Sequence, residues 1–271
     1  MLSQPQFITS RDNAQIKLLR RLAQDNTAYR QQARVWLEGD HLCRAALARG
    51  RMPSLAVFTE SAWSETGGQW AQVLADLPPS PATPPPGILV LPEALMVSLS
   101  GLESPAPMAF VVPLPSGEGG TGGVLRGQAA VVLDRVQDAG NVGSILRSAS
   151  AFGFTQVLAL KGTAALWSPK VVRAGMGAHF GLHLVEGLLP EDLNDLDLPL
   201  LVTSSHAGQA VHERAWPWPC AWAFGHEGQG VGAALMASAK QQVRIAQPGG
   251  EESLNVAAAA AICLYASVAH R

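Results

Sequence analysis

The spacing of apolar and polar positions divides the chain into two runs of short elements. Ile16, Leu18, Leu19 and Leu22 recur at helical spacing with Lys17, Arg20 and Arg21 between them, which predicts an amphipathic helix with Asp12 and Asn13 as candidate caps. Residues 35–37 read as a short strand, Gly39-Asp40 as a turn, and 41–48 as a helix closing at Gly50. Residues 55–59 and 88–91 read as further strands. This succession predicts a small α/β sandwich over residues 1–112. A second run opens at 129–133, an apolar, β-branched stretch of the kind buried on both faces of a sheet. A loop at 134–140, a helix at 142–152, a turn at Gly153 and a strand at 156–160 complete a βαβ unit. Residues 200–203, 221–224 and 242–245 are further strand candidates, and 254–268 is a closing helix. The second run therefore predicts an α/β fold with a mostly parallel sheet over residues 129–271.

Two stretches interrupt the pattern. The Pro-rich residues 78–86 lack too many backbone donors for a helix or a central strand and read as a loop leaving the small domain. Residues 113–128 are Gly-rich and read as the linker between domains.

Composition narrows the class. With 271 residues, 48% hydrophobic and 15% charged, the chain can bury a core and is not a disordered segment. No apolar run reaches the ~18–20 residues that span a bilayer. The N-terminus lacks a basic segment followed by an apolar one, so no secretory signal is expected and a cytoplasmic location is. Cys43, Cys220 and Cys263 are few, odd in number and far apart, which reads as reduced thiols. The net charge of −2 hides an asymmetry: residues 1–51 hold nine Arg/Lys against four Asp/Glu, +5, which leaves −7 for the remainder. A basic N-terminal module points to an anionic ligand there, with an ordinary solvated helix face as the equal alternative.

Several chemistries find no motif. The segment after residue 133 has no Gly-x-Gly-x-x-Gly, there is no phosphate-binding loop ending in Gly-Lys-Ser/Thr, and Gly-x-Ser-x-Gly is absent. His179, His183, His206, His212 and His226 form no His-Glu-x-x-His pattern, so no metal is expected. What remains is three segments in order: Asn141-Val-Gly-Ser-Ile-Leu-Arg147, Gly225-His-Glu-Gly-Gln-Gly-Val231, and Ile245-Ala-Gln-Pro-Gly-Gly-Glu-Glu-Ser-Leu-Asn-Val256. Each follows a predicted strand, where an open α/β sheet binds ligands.

On these residues the C-terminal run, 129–271, resembles the SpoU (TrmH-type) branch of the SPOUT RNA methyltransferases. Asn141, Gly143 and Arg147 match the first motif, Gly225, Glu227, Gly230 and Val231 the second, and Ile245, Gly249, Ser253, Leu254, Asn255 and Val256 the third. Residues 168–178 look like the family's segment after the second strand. One departure stands out: Ala246 occupies a position where the family usually has Pro, and Pro248 follows two residues later. The stretch from Trp36 to Leu42 resembles the small substrate-binding module, L30e-like in fold, that often precedes this domain.

The resemblance implies a deep trefoil knot, a homodimer to which the last helix contributes, and S-adenosylmethionine as methyl donor. It implies transfer to a ribose 2′-hydroxyl of structured RNA, with ribosomal RNA ahead of transfer RNA. Thr203, Ser204, Phe224, Gly225, Ile245 and Leu254 are then expected at the cofactor. Arg147, Asn141, Glu227, Ser253 and Asn255 are expected at the reacting ribose. Arg147 is either the base for the hydroxyl or, because guanidinium is a poor base, the binder of the adjacent phosphate. Glu227 could pair an arginine bidentately, and Asn141 could hold Arg147 or the ribose. Ser253 and Asn255 could offer a helix N-terminus to phosphate or simply cap it. Arg11, Lys17, Arg20, Arg21, Lys170 and Arg173 are expected RNA contacts. The reading from another class is a knotted RNA-binding protein without catalysis, acting in assembly.

Overall fold

The computed structural model describes residues 4–77, 84–114, 123–204, 207–249 and 253–269. They fall into two units, Met1–Pro115 with Trp167–Pro169, and Ser116–Leu166 with Lys170–Arg271. Residues 78–83, and the linker residues 115–122, lie outside the described ones.

In the first unit the amphipathic stretch forms α1 (Ala14–Gln24), capped by Asn13, whose side chain accepts the Gln15 N–H at 2.8 Å. Ile16, Leu19 and Leu22 are its buried stripe. Five strands, β1 (Gln6–Phe7), β2 (Arg34–Glu38), β3 (Leu55–Thr59), β4 (Gly87–Leu91) and β5 (Met108–Pro113), make a mixed sheet in the order β1-β4-β3-β5-β2. Strand alternation sends Trp36, Val57, Leu89 and Val111 to the face packed by α1, α2 (Ala28–Gln32) and α5 (Glu93–Leu99). Phe58 and Phe110 go to the opposite face, where Trp70 of α4 (Glu60–Ala75) meets both rings, 6.4 and 5.4 Å between centroids. Arg44 of α3 (Asp40–Ala48) lies over the Trp70 ring. Glu38, of the Glu-Gly-Asp segment, is buried and accepts Ser100 Oγ at 2.6 Å, the Ala106 N–H at 3.2 Å and Trp36 Nε1 at 3.2 Å. Its role is to pin the 100–106 turn to the sheet.

The second unit contains β6 (Ala130–Asp134), α6 (Ala139–Ala151), β7 (Gln156–Leu160), α7 (Pro169–Gly175), β8 (His183–Leu188), β9 (Leu200–Thr203), β10 (Gln209–Ala210), β11 (Ala221–Gly225), α8 (Ala233–Ser238), β12 (Gln241–Arg244) and α9 (Val256–Val268). The strand order is β10-β12-β9-β11-β6-β7-β8, and every pair is parallel. Ala130, Val132, Leu158, Val202 and Ala223 face one core with Leu196 and Leu235. The alternate residues face the other side of the sheet, which α6 and α9 cover, with Trp222 Nε1 donating to Ser267 Oγ at 2.8 Å. A parallel sheet needs cover on both faces, which explains the nearly continuous apolar strands. Because all seven strands are parallel, their carboxyl ends share one edge. Chain order reverses beside β6, with β7 and β8 on one side and β11 and β9 on the other, and this switch point is where such sheets place ligands.

Two details differ from expectation. The last part of the expected linker is fixed rather than free: fully buried Gln156 donates to the carbonyls of Leu125 and Gln128 at 2.7 and 2.8 Å and accepts the Leu125 N–H at 3.0 Å. Strand β8 was not predicted because Glu186 and Gly187 interrupt its apolar run. Glu186 is nonetheless buried, since its carboxylate accepts the Leu166 N–H at 2.6 Å. The Leu166 carbonyl in turn accepts a hydrogen bond from His179 Nε2–H at 2.8 Å, and burial pushes that imidazole down to about 4, so it is neutral at ordinary pH.

Candidate active site

The three motif segments leave the carboxyl ends of β6, β11 and β12 and meet in one polar chain. Asp138 caps α6, its side chain accepting the Asn141 N–H at 2.7 Å, and so brings Asn141 to the first turn. Asn141 Nδ2 donates to Glu227 Oε1 at 3.2 Å, and Asn141 Oδ1 accepts from Asn255 Nδ2 at 2.9 Å. Asn255 Oδ1 then accepts the N–H groups of Ala257 and Ala258 at 2.9 and 3.2 Å, capping α9. The direction of this relay is fixed at both ends. An ionised carboxylate only accepts and a helix N-terminus only donates, so each amide has one allowed orientation.

Glu227 also accepts the N–H groups of Asp138 and Gln137 at 3.2 and 3.4 Å. Partial burial pushes its carboxyl upward, but the hydrogen bonds from its own N–H, from Asn141 and from the 137–138 backbone outweigh this and hold it below the usual range. Glu227 is therefore an anion at neutral pH. The expected pairing of Glu227 with an arginine is corrected: its partners are an asparagine and backbone N–H groups of the β6–α6 turn.

The loop between β11 and α8 is tightly folded. His226 and Gly230 exchange backbone hydrogen bonds at 3.1 and 2.8 Å, and Gly230 has φ +66°. His226 Nδ1 accepts the N–H groups of Gly228 and Gln229 at 3.0 and 3.3 Å, as an Asx side chain would. A Cβ on Gly225 would overlap the Gly230–Val231 backbone. The close approach at Gly225 is thus to this loop, not first to a ligand. Gly143 has a similar packing role, since a Cβ there would overlap Ala174 and Gly175 of α7.

The expected cofactor residues occupy neighbouring strand ends. Thr203 Oγ1 donates to the Ala223 carbonyl at 3.2 Å, tying β9 to β11. Ser204 N–H donates to Val243 O at 2.9 Å, and its hydroxyl accepts the Ala207 N–H at 3.2 Å. Phe224 is fully buried and stacked on Trp222, so only its main chain is offered at the strand end. Ile245 is half-buried, and Leu254 is exposed. Ala246 and Pro248 are both exposed, and Gln247 between them buries its Oε1 without a hydrogen-bond partner. Glycines and small or apolar residues at these strand ends leave main-chain N–H and carbonyl groups to hold a flat apolar ligand with polar edges, such as adenine.

Arg147 stands apart from the relay. Six residues along α6 place it about 120° around the helix from Asn141 and about 9 Å along the axis. It is exposed and has no hydrogen bond or ion pair among the described residues. Ser253 is likewise exposed, three residues before α9. Of the expected RNA contacts, Arg11, Lys17, Arg21 and Lys170 are exposed and Arg173 half-buried. Arg20 is partly committed to the fold, donating to the Ser98 carbonyl and hydroxyl at 3.3 Å. Arg21 donates to Gln31 at 2.6 Å, and Lys17 sits 3.7 Å from Asp12. Asp134 and Arg135, beside the site, were missed because the sequence segment reads only as a loop. Among the described residues no group of three metal-ligating side chains occurs.

Residues 128–265 match the model of the SpoU rRNA Methylase family. A tRNA/rRNA methyltransferase of Synechocystis, itself uncharacterised, is 33% identical over 262 residues, spanning 95% of this chain and 92% of that one. The Bacillus subtilis 23S rRNA (guanosine(2553)-2′-O)-methyltransferase RlmP is 31% identical over 179 residues, 65% of this chain and 70% of its own. The crystal structure of an RNA 2′-O ribose methyltransferase superposes with a TM-score of 0.77 at 30% identity, covering 98% and 99% of the two chains.

Proposed function

Because the chain belongs to the SpoU rRNA methylase family, an RNA methyltransferase family, we propose that it methylates a ribose 2′-oxygen of structured RNA, ribosomal RNA ahead of transfer RNA. The observation that carries this reading is the relay Glu227–Asn141–Asn255, which joins all three motif segments at the switch point of the sheet. The similar RlmP and the similar crystal structure both carry a ribose 2′-O activity in their names, which supports the ribose over a base.

S-adenosylmethionine is the methyl donor, and its sulfonium supplies an activated methyl group. The main chain at Gly225, Ile245 and Leu254 holds it, with Thr203, Ser204 and the Phe224 backbone at adjoining strand ends. Gln247, after Ile245 in the last motif segment, would stand close to that main chain. The relay does not itself take a proton: Glu227 is spent on three hydrogen-bonded partners and fixes Asn141. Arg147, exposed and without a partner among the described residues, is the group left to meet the RNA. A guanidinium remains a cation, so Arg147 grips the phosphate next to the reacting ribose and polarises the hydroxyl. The hydroxyl proton goes to water. Ser253, exposed three residues before α9, contacts the ribose or phosphate.

The homodimer rests on α9, which carries no charged residue and leaves Ile262 and Tyr265 39% and 58% exposed. Such a face asks for a partner, and sedimentation at a dimer's mass checks it. The knot rests on chain path. After β12, set beyond β9, the chain returns so that α9 packs on α6 and β11. The first unit serves as the RNA-gripping module through Arg11, Lys17 and Arg21, with Arg20 assisting, and Lys170 and Arg173 are phosphate contacts of the second unit. Neutralising any one of these side chains that meets a phosphate should lower the salt slope of RNA binding by about one. Among the described residues no helix is long and apolar enough to cross a membrane. No observation favours the non-catalytic assembly role. Incubation with tritiated S-adenosylmethionine and RNA from cells lacking the protein tests the proposal, and absence of label in any RNA would sink it.

A further inference from the structure

Arg135 has no part in the relay, yet it takes a backbone conformation that is costly for a residue with a Cβ, φ +61°. It follows β6 directly, beside the site. Its side chain is held on both sides. Nε donates to Asp134 Oδ1 at 2.8 Å and Nη2 to Asp134 Oδ2 at 3.1 Å, while Nη1 reaches Gln229 Oε1 at 2.9 Å. Asp134 is 5% exposed, and the fork, with the Gly232 N–H at 2.6 Å, compensates its buried charge. The stem rests against Gly162, where an added Cβ would lie 3.0 Å from Arg135 Cγ.

Besides the hydrogen bonds that His226 makes within it, the loop 226–232 is fastened to its surroundings at three points. Glu227 ties its start to the β6–α6 turn, Asp134 ties its end at Gly232, and Arg135 ties its crown at Gln229. Gly228, Gln229 and Gly230 are exposed, and the His226 hydrogen bonds that fold them lie within the loop itself, so two glycines in three residues leave the crown loose against β6 without a tie from outside. The geometry points to Arg135 as a positioning residue: the Asp134–Arg135–Gln229 clamp holds the crown of this loop in the shape that receives S-adenosylmethionine. The left-handed turn at 135 is the device that aims the guanidinium at Asp134 and Gln229 together. This rests on the reading of the strand-end loops as the cofactor site.

Three variants separate the clamp from the turn. Gln229→Ala removes only the hydrogen bond at the crown. Arg135→Gly accepts the backbone angle and loses the side chain. Arg135→Lys keeps the charge but cannot fork. Binding of S-adenosylhomocysteine by calorimetry, amide exchange across 226–232, and KM for cofactor against KM for RNA are the readouts. Gln229→Ala should exchange faster at Gly228 and Gly230 and raise the dissociation constant about fivefold, the scale of one missing hydrogen bond. KM for cofactor should rise with it, while KM for RNA and the thermal midpoint stay as in the wild type. Arg135→Gly should lose more, and Arg135→Lys should recover part of that loss. Wild-type exchange and binding in Gln229→Ala and Arg135→Gly overturn the clamp alone. Failure of the wild-type chain to bind S-adenosylhomocysteine overturns the reading of the site and the clamp with it.

Discussion

Replacing Asn255 by Asp separates the two tasks of that side chain. Asn255 caps α9 through Oδ1 and holds Asn141 through Nδ2. Asn255→Ala removes both. The cap contributes about 1 kcal/mol, and the exposed amide bond about 0.5–1 kcal/mol. A loss of about 1.5–2 kcal/mol lowers the midpoint of a chain this size by about 3–8 °C. Asn255→Asp keeps an oxygen over the Ala257 and Ala258 N–H groups and adds a negative charge at the helix N-terminus, worth about 0.3–1 kcal/mol. Stability should stay within about 0.5 kcal/mol of the wild type. The relay still breaks, since Asp offers no donor to Asn141 Oδ1. Turning the Asn141 amide over does not repair it, because its oxygen would then face Glu227. Thermal melts and tritium transfer to RNA, run side by side, give the answer. Asn255→Ala should lose both stability and transfer, and Asn255→Asp transfer alone. Wild-type transfer by Asn255→Asp would refute the relay, and unchanged stability in Asn255→Ala would refute the cap.

Other expectations follow from the same geometry. Arg147→Ala should melt within about 0.5 kcal/mol of the wild type, because the side chain is exposed and without a partner among the described residues. It should bind S-adenosylhomocysteine normally and transfer no methyl group, and surviving transfer would remove Arg147 from the reaction. Gly225→Ala forces a Cβ into the Gly230–Val231 backbone, which cannot yield as a side chain would, so it should cost about 3 kcal/mol or more by denaturant titration and abolish cofactor binding. His179 sets a pH dependence: its folded value of about 4 lies below the ordinary 6.5, so the unfolded chain binds the proton first. Stability contributed by the neutral ring is complete above about pH 6.5 and is lost as pH falls towards 4, by up to about 3 kcal/mol. His179→Leu should be less stable at pH 7 and should flatten that slope, which melts between pH 4 and 7.5 record.

The strands of the second unit were readable because a parallel sheet buried on both faces leaves continuous apolar runs, as at Ala130–Asp134 and Ala221–Gly225. β8 escaped because Glu186 is a buried carboxylate that hydrogen-bonds Leu166, an exception no periodicity can announce. The helix α4 after residue 59 carries no clear apolar stripe from which to read its bounds, and within it Gly67 makes room for the Trp63 ring. At the site, residue types and order located the motifs, but not which partner each side chain takes. Glu227 turned from an expected arginine partner into the anchor of Asn141, and Asn255 became a cap that leaves its N–H donors already satisfied. Such partnerships depend on where three loops from distant strands meet, which spacing within one segment does not encode.

The most direct test of the central claim is the position of the transferred methyl group. RNA from cells lacking the protein, labelled in vitro with tritiated S-adenosylmethionine and digested with alkali, should retain its label in a single alkali-resistant dinucleotide. Only a 2′-O-methyl ribose protects the neighbouring linkage from cleavage. Label recovered in mononucleotides would place the methyl group on a base, and no label at all would deny the transfer; either result contradicts the account.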